Sequence, residues 1–114
     1  MFPSLLLINA RSVNKKIDEL RVLAAKQKPG CIAITETWLS DIIPNGCLSL
    51  ENYVLFRADR QGRQGGGVCL YVRENFNPEL ASLQIVDHGT ESLSVRLSSN
   101  NLVVTCVYIP PISQ

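Results

Sequence analysis

Asn9 and Glu36 each stand directly after an apolar run with the character of a buried strand: Leu5-Leu6-Leu7-Ile8 before the first, Cys31-Ile32-Ala33-Ile34-Thr35 before the second. Between the runs, Ile17, Leu20, Leu23 and Ala24 recur at helical spacing behind Asn14, a good N-cap. Asp18 and Glu19 fall in the expected first turn and Lys26 and Lys28 near its end, with Pro29-Gly30 as the stop. Strand, helix and strand with short joints predict a βαβ unit with parallel strands. Their carboxyl ends then share one sheet edge, where open α/β folds bind ligands. Asn9 and Glu36 are thereby expected side by side. A carboxylate there suits Mg²⁺, which commonly takes one or two protein carboxylates with water and substrate phosphate. Spacing alone also allows Asn9 to close an Asx turn beside a solvated Glu36, the commoner arrangement.

Other reactive residue types carry less. Cys31, Cys47, Cys69 and Cys106 show no CxxC spacing, and His88 is the single histidine. Three of the cysteines lie in apolar runs, so reduced, packed thiols are expected rather than disulfides or zinc. Gly62, Gly65, Gly66 and Gly67 fit neither phosphate-loop pattern and lead into a strand, which predicts a strand connection without a nucleotide cradle. Arg57, Arg60, Arg63 and Arg73 face one acid, Asp59, over the same stretch. They suit either a solvated loop or contacts to a nucleic-acid backbone.

The elements that must position these residues come from a chain of 114 residues, 46% hydrophobic and 18% charged. That composition excludes a disordered tail and allows one domain or a piece of one. Eleven Lys and Arg against ten Asp and Glu give +1, too little to hold the chain on nucleic acid or membrane by bulk charge. No run approaches a membrane span and Met1-Phe2-Pro3-Ser4 is no signal peptide, so a soluble, intracellular protein is expected. Pro44-Asn45-Gly46 marks a turn, and Tyr53 to Phe56 and Val68 to Val72 read as strands. Leu93, Val95 and Leu97 alternate with Ser94, Arg96 and Ser98, and Ser99-Asn100-Asn101 turns the chain into Leu102 to Ile109. The fold class is α/β with a mixed sheet, an N-terminal βαβ unit and a C-terminal hairpin.

Leu7-Ile8-Asn9-Ala10-Arg11-Ser12 and Ile34-Thr35-Glu36-Thr37-Trp38-Leu39 resemble the endonuclease/exonuclease/phosphatase superfamily. They are most similar to the apurinic-type endonuclease at the N-terminus of non-LTR retrotransposon reverse-transcriptase proteins. Phe56-Arg57-Ala58-Asp59-Arg60, Gly65-Gly66-Gly67-Val68 with Leu70-Tyr71-Val72, Glu91-Ser92-Leu93, and Val107-Tyr108-Ile109-Pro110-Pro111 continue the match in family order. The resemblance implies a DNase I-like sandwich of two mixed sheets with helices outside. It makes Glu36 the ligand of a catalytic Mg²⁺ (or Mn²⁺), has Asn9 help hold the metal and phosphate, and has Tyr108 donate a hydrogen bond near the scissile phosphate. Taken by itself, Tyr108 reads as a core tyrosine with a bonded hydroxyl.

The family also carries a later Asp and Asn pair and a Ser-Asp-His segment, and the sequence to Gln114 holds neither. Asp87-His88 comes too early, and neighbouring strand residues point to opposite faces, so His88-Gly89 reads as a turn. Residues 1–114 are therefore expected to be the N-terminal part of such a domain, a fragment inactive by itself. The complete protein would nick DNA by hydrolysis, with the nucleus as its place if it is a retrotransposon product. An uncovered sheet surface would favour self-association. Two alternatives stand beside this: a non-catalytic remnant with weak or no nucleic-acid binding, and a phosphoesterase relative acting on small molecules or lipids.

Overall fold

The computed structural model describes residues 3–60, 65–85 and 90–110. β1 (Leu5–Asn9) leads through a short 3₁₀ turn, Asn14–Lys16, into α1 (Ile17–Gln27) and then β2 (Cys31–Thr35). The strands are parallel, with Asn9 opposite Thr35, as the βαβ pattern requires. Asn14 does not cap the helix. It sits in the 3₁₀ turn, and α1 begins three residues later with no side-chain cap. At the other end Lys28 adopts the left-handed conformation and donates its N–H to Ala24 O, closing the helix before Pro29.

β3 (Tyr53–Ala58) and β4 (Val68–Arg73) complete a mixed four-stranded sheet of order β1-β2-β4-β3. β5 (Pro78–Ile85), β6 (Glu91–Leu97) and β7 (Leu102–Tyr108) form a second, antiparallel sheet in sequence order. The first sheet has two dry faces. Ile32, Ile34, Cys69 and Tyr71 pack against Leu20 and Ala24 of α1 and against Leu39, Leu48 and Leu50. On the other face Cys31, Ala33, Val68, Leu70 and Val72 meet Leu93, Val95, Leu97 and Cys106 of the second sheet. The result is a three-layered α/β sandwich, which is why β2 and β4 read as unbroken apolar runs while β6 alternates.

β1 departs from its sequence pattern. Its apolar run predicts burial on both faces, yet Leu5 and Leu7 are 58% and 69% exposed. They share the face of Cys31 and Ala33, but β7 lies over β2 and β4, leaving this face of β1 uncovered. β1 and β7 are both edge strands, so the corner between them is apolar and open. All four cysteines are free thiols, three buried and Cys47 exposed. Burial pushes the Cys31 and Cys106 thiols up to about 11. Among the described residues no helix is long and apolar enough to cross a membrane.

Candidate functional site at the open sheet corner

The site grows from the carboxyl ends of β1 and β2. Beyond Asn9 and Thr35 the two chains stay paired: Ala10 N–H donates to Thr35 O, Ser12 N–H to Glu36 O and Val13 N–H to Thr37 O, each at 3.0 Å. Holding this path requires left-handed backbone at Arg11, Ser12, Glu36 and Trp38, none of them glycine. Such conformations cost about 1–3 kcal/mol each and persist where surrounding structure enforces them. Here the enforcement comes from the run Gly65-Gly66-Gly67, all at positive φ, in which Gly66 O accepts the N–H of Trp38 at 2.9 Å and Gly67 O that of Thr37 at 3.3 Å. The glycine run is the expected strand connection, and it also clamps the Glu36 loop.

Glu36 is half-buried, Asn9 is exposed and lies one ladder position from it, and Tyr108 ends β7 on the inner face. The structure thus gathers the three expected residues at one corner. Burial, the Glu36 charge and a hydrogen bond donated to the Glu36 carboxylate hold the Tyr108 hydroxyl above its ordinary pKa. Tyr108 is therefore a protonated donor throughout the neutral range.

A buried ion pair underlies this corner and was not anticipated from the sequence. Glu91 is fully buried; its Oε1 accepts from Arg60 Nε at 2.7 Å and from Gly67 N–H at 3.3 Å. Glu91 stands opposite Tyr108 in the β6–β7 ladder, and the charges of Arg60 and Glu91 both reach the phenol. Glu91 Oε2 and Thr37 Oγ1 are buried without a hydrogen-bond partner among the described residues. A Cβ on Gly66 would overlap the Arg60 guanidinium, so only glycine lets Arg60 lie there. The signal for Glu91 was its phase, two residues ahead of Leu93 on the dry face of β6.

Arg57 and Arg60, two of the arginines that suit a solvated loop or a DNA backbone, have protein partners. Arg57 donates to Ile43 O (2.7 Å), Asn45 Oδ1 (2.8 Å), Ser40 O (3.0 Å) and both oxygens of Asp59 (2.8 and 3.3 Å). These contacts use every guanidinium N–H and pin the loop after Trp38 to β3. Arg60 is committed to Glu91 and is 11% exposed. Arg63, Asp87 and His88 lie outside the described residues.

As a metal site the corner is partial. Glu36 and Asn9 offer one carboxylate and one amide, and no three His, Cys, Asp or Glu side chains cluster among the described residues. That donor set fits a Mg²⁺ ion completed by water and phosphate, not an all-protein cage.

This architecture recurs in solved structures of other proteins. The 3′ phosphatase NExo from Neisseria, bound to a product DNA hairpin, superposes with a TM-score of 0.72 at 17% identity, over 94% of this chain and 41% of that one. An AP endonuclease from Archaeoglobus fulgidus gives 0.65 at 12% identity over 86% and 38%. D. rerio TDP2 complexed with a single-strand DNA product gives 0.62 at 15% over 96% and 47%. The fold is that of the DNase I-like endonuclease/exonuclease/phosphatase proteins, represented in part: the chain spans about two fifths to one half of these structures. No family model matches the sequence, and no curated protein matches it.

Proposed function

We propose that residues 1–114 are the N-terminal part of a Mg²⁺-dependent DNA endonuclease domain from a retrotransposon-like protein. The observation that carries this reading is the convergence of Asn9, Glu36 and Tyr108 at one corner of a DNase I-like fold. In the complete protein, a bound Mg²⁺ (or Mn²⁺) would supply positive charge for phosphodiester hydrolysis. Glu36 would hold the ion with help from Asn9, which would also orient the substrate phosphate. Tyr108, already a donor to Glu36, redirects its hydroxyl to a non-bridging phosphate oxygen. The Arg60–Glu91 pair and the glycine run keep the Glu36 loop from shifting as charge enters. DNA is the partner, with nuclear localisation if the protein is a retrotransposon product.

By itself the chain does not nick DNA at a useful rate, since no described residue is placed to activate water. Its open corner, with Leu5 and Leu7 exposed beside the free edge of β7, favours self-association. The test is nicking of supercoiled plasmid by the longer polypeptide, compared with its Glu36→Ala variant. Mg²⁺-dependent nicking lost in the variant is expected; equal nicking by both removes Glu36 from the mechanism. Phosphate release from a 3′-phosphorylated hairpin without plasmid nicking would replace the endonuclease with a phosphomonoesterase.

A further inference from the structure

A cavity of about 560 Å³ lies at the far end of the first sheet from Glu36. Between them runs the length of β2, roughly 16 Å at the usual strand rise. Its floor is Ala24 and the buried Leu50, and its rim carries Arg21, Lys28 and Arg73 on one side of the charge balance and Glu51 on the other. We propose that this cleft is a second, separate binding site for a phosphate group, independent of the nuclease reading.

Arg21 and Lys28 come from α1 and its C-cap, Arg73 from the end of β4. Lys28 is the left-handed residue that ends α1, exposed at the cleft mouth. Arg73, at the end of β4, lies over the ring of Tyr53 with its guanidinium carbon 5.5 Å from the centroid. The Tyr53 hydroxyl in turn donates to Pro29 O, so the platform under Arg73 is anchored. Arg21 donates to Ser49 O at 3.0 Å and Cys47 O at 3.2 Å, which fixes its head against the loop that forms the opposite wall. Its nearest carboxylate, Asp18, is 3.6 Å away and almost fully exposed. Neither Lys28 nor Arg73 forms an ion pair with a carboxylate among the described residues.

Magnitudes favour an anion. Three formal positive charges face one negative charge at Glu51, and the α1 C-terminus contributes only about half a negative charge. A volume of this size accepts a ligand well beyond a bare ion. A phosphate offers several acceptor oxygens to cations carried by two elements that line the same cleft, and Arg73 supplies planar, paired donors. The phosphate could come with a free nucleotide or with a nucleic-acid strand passing behind the sheet; the recognition chemistry is the same.

The experiment is a ¹H–¹⁵N NMR titration of the 114-residue chain with inorganic phosphate, adenosine monophosphate and a short DNA duplex in parallel. Inorganic phosphate should shift the amides of Arg21, Lys28, Ser49 to Tyr53 and Arg73, with a dissociation constant on the order of 1 mM. Stronger shifts with the nucleotide identify a mononucleotide site, and stronger shifts with the duplex identify a backbone contact. Lys28→Asn, which keeps a residue tolerant of left-handed backbone, should weaken binding several-fold with an otherwise unchanged spectrum. Glu51→Gln should strengthen it. The proposal is overturned if these amides do not move, if sodium chloride of equal ionic strength moves them equally, or if Lys28→Asn leaves the titration unaltered. Shifts confined to Asn9 and Glu36 would also overturn it while leaving the nuclease reading intact.

Discussion

Glu91 and Tyr108 stand opposite each other on the inner face of the β6–β7 ladder, one a buried anion, the other the phenol that donates to Glu36. A chain of contacts thus runs from Arg60 through Glu91 to the residues at the open corner. Replacing both members of a buried pair with apolar groups is often neutral, whereas removing one partner typically costs about 3–5 kcal/mol. Arg60→Met should therefore be strongly destabilising because it strands Glu91, and Arg60→Met with Glu91→Leu should recover much of that loss. Urea melts of the two singles and the double measure the coupling. Additive effects would mean that the pair is not a unit.

Gly66 permits this arrangement. At φ +63 and against the Arg60 guanidinium, an added methyl group meets both backbone strain and overlap. Gly66→Ala should cost more than about 1 kcal/mol, while Gly46→Ala, where a Cβ meets nothing within 4 Å, should be near neutral or mildly stabilising. Equal midpoints for the two variants would show that the glycine run does not hold the corner.

Much of the framework was legible in the sequence because burial leaves a period. The βαβ unit, the hairpin and the strands at 53 and 68 each announce themselves by an apolar run or an alternation. β5 did not, for a physical reason: its register with β6 shifts between Leu80 and Ser82. That bulge puts Leu80 opposite Val95 and Leu83 opposite Leu93, so a strand carries the three-residue spacing of a helix. Asn14 looked like a cap because residue type was visible and the intervening 3₁₀ turn was not. The adjacency of Asn9 and Glu36 followed from topology. The role of Arg57 did not, since whether a guanidinium meets DNA or Ile43 O depends on a loop conformation that composition does not encode.

The buried thiols predict an alkaline loss of stability. Cys31 and Cys106 are pushed up to about 11 from an ordinary value of 9.0, so the folded state holds protons that the unfolded chain has released. Their contribution is complete below pH 9 and disappears as pH rises through about 11, by roughly 2–3 kcal/mol per thiol. Tyr71, raised by burial, loses its share at still higher pH. Denaturant midpoints measured from pH 8 to 11 should fall through this window. Replacing Cys31 and Cys106 with alanine should reduce the fall, the buried Cys69 and Tyr71 accounting for what remains, and Cys47→Ser, at an exposed site, should not.

Glu36 and Tyr108 should separate when each is replaced. Glu36→Gln removes the only charged ligand proposed for the ion, so Mg²⁺ should no longer perturb NMR signals near Asn9 and residue 36. Tyr108→Phe keeps the carboxylate and should retain that perturbation. In the longer polypeptide it should slow nicking by about 10²–10³, the usual cost of losing one hydrogen-bond donor to developing charge. The raised pKa of Tyr108 adds a sign: the donor is not lost as pH climbs through 9, so nicking should show no decline from this residue until above 10. Loss of Mg²⁺ binding in Tyr108→Phe would instead make the phenol a support for Glu36. Wild-type nicking by that variant would remove Tyr108 from the chemistry.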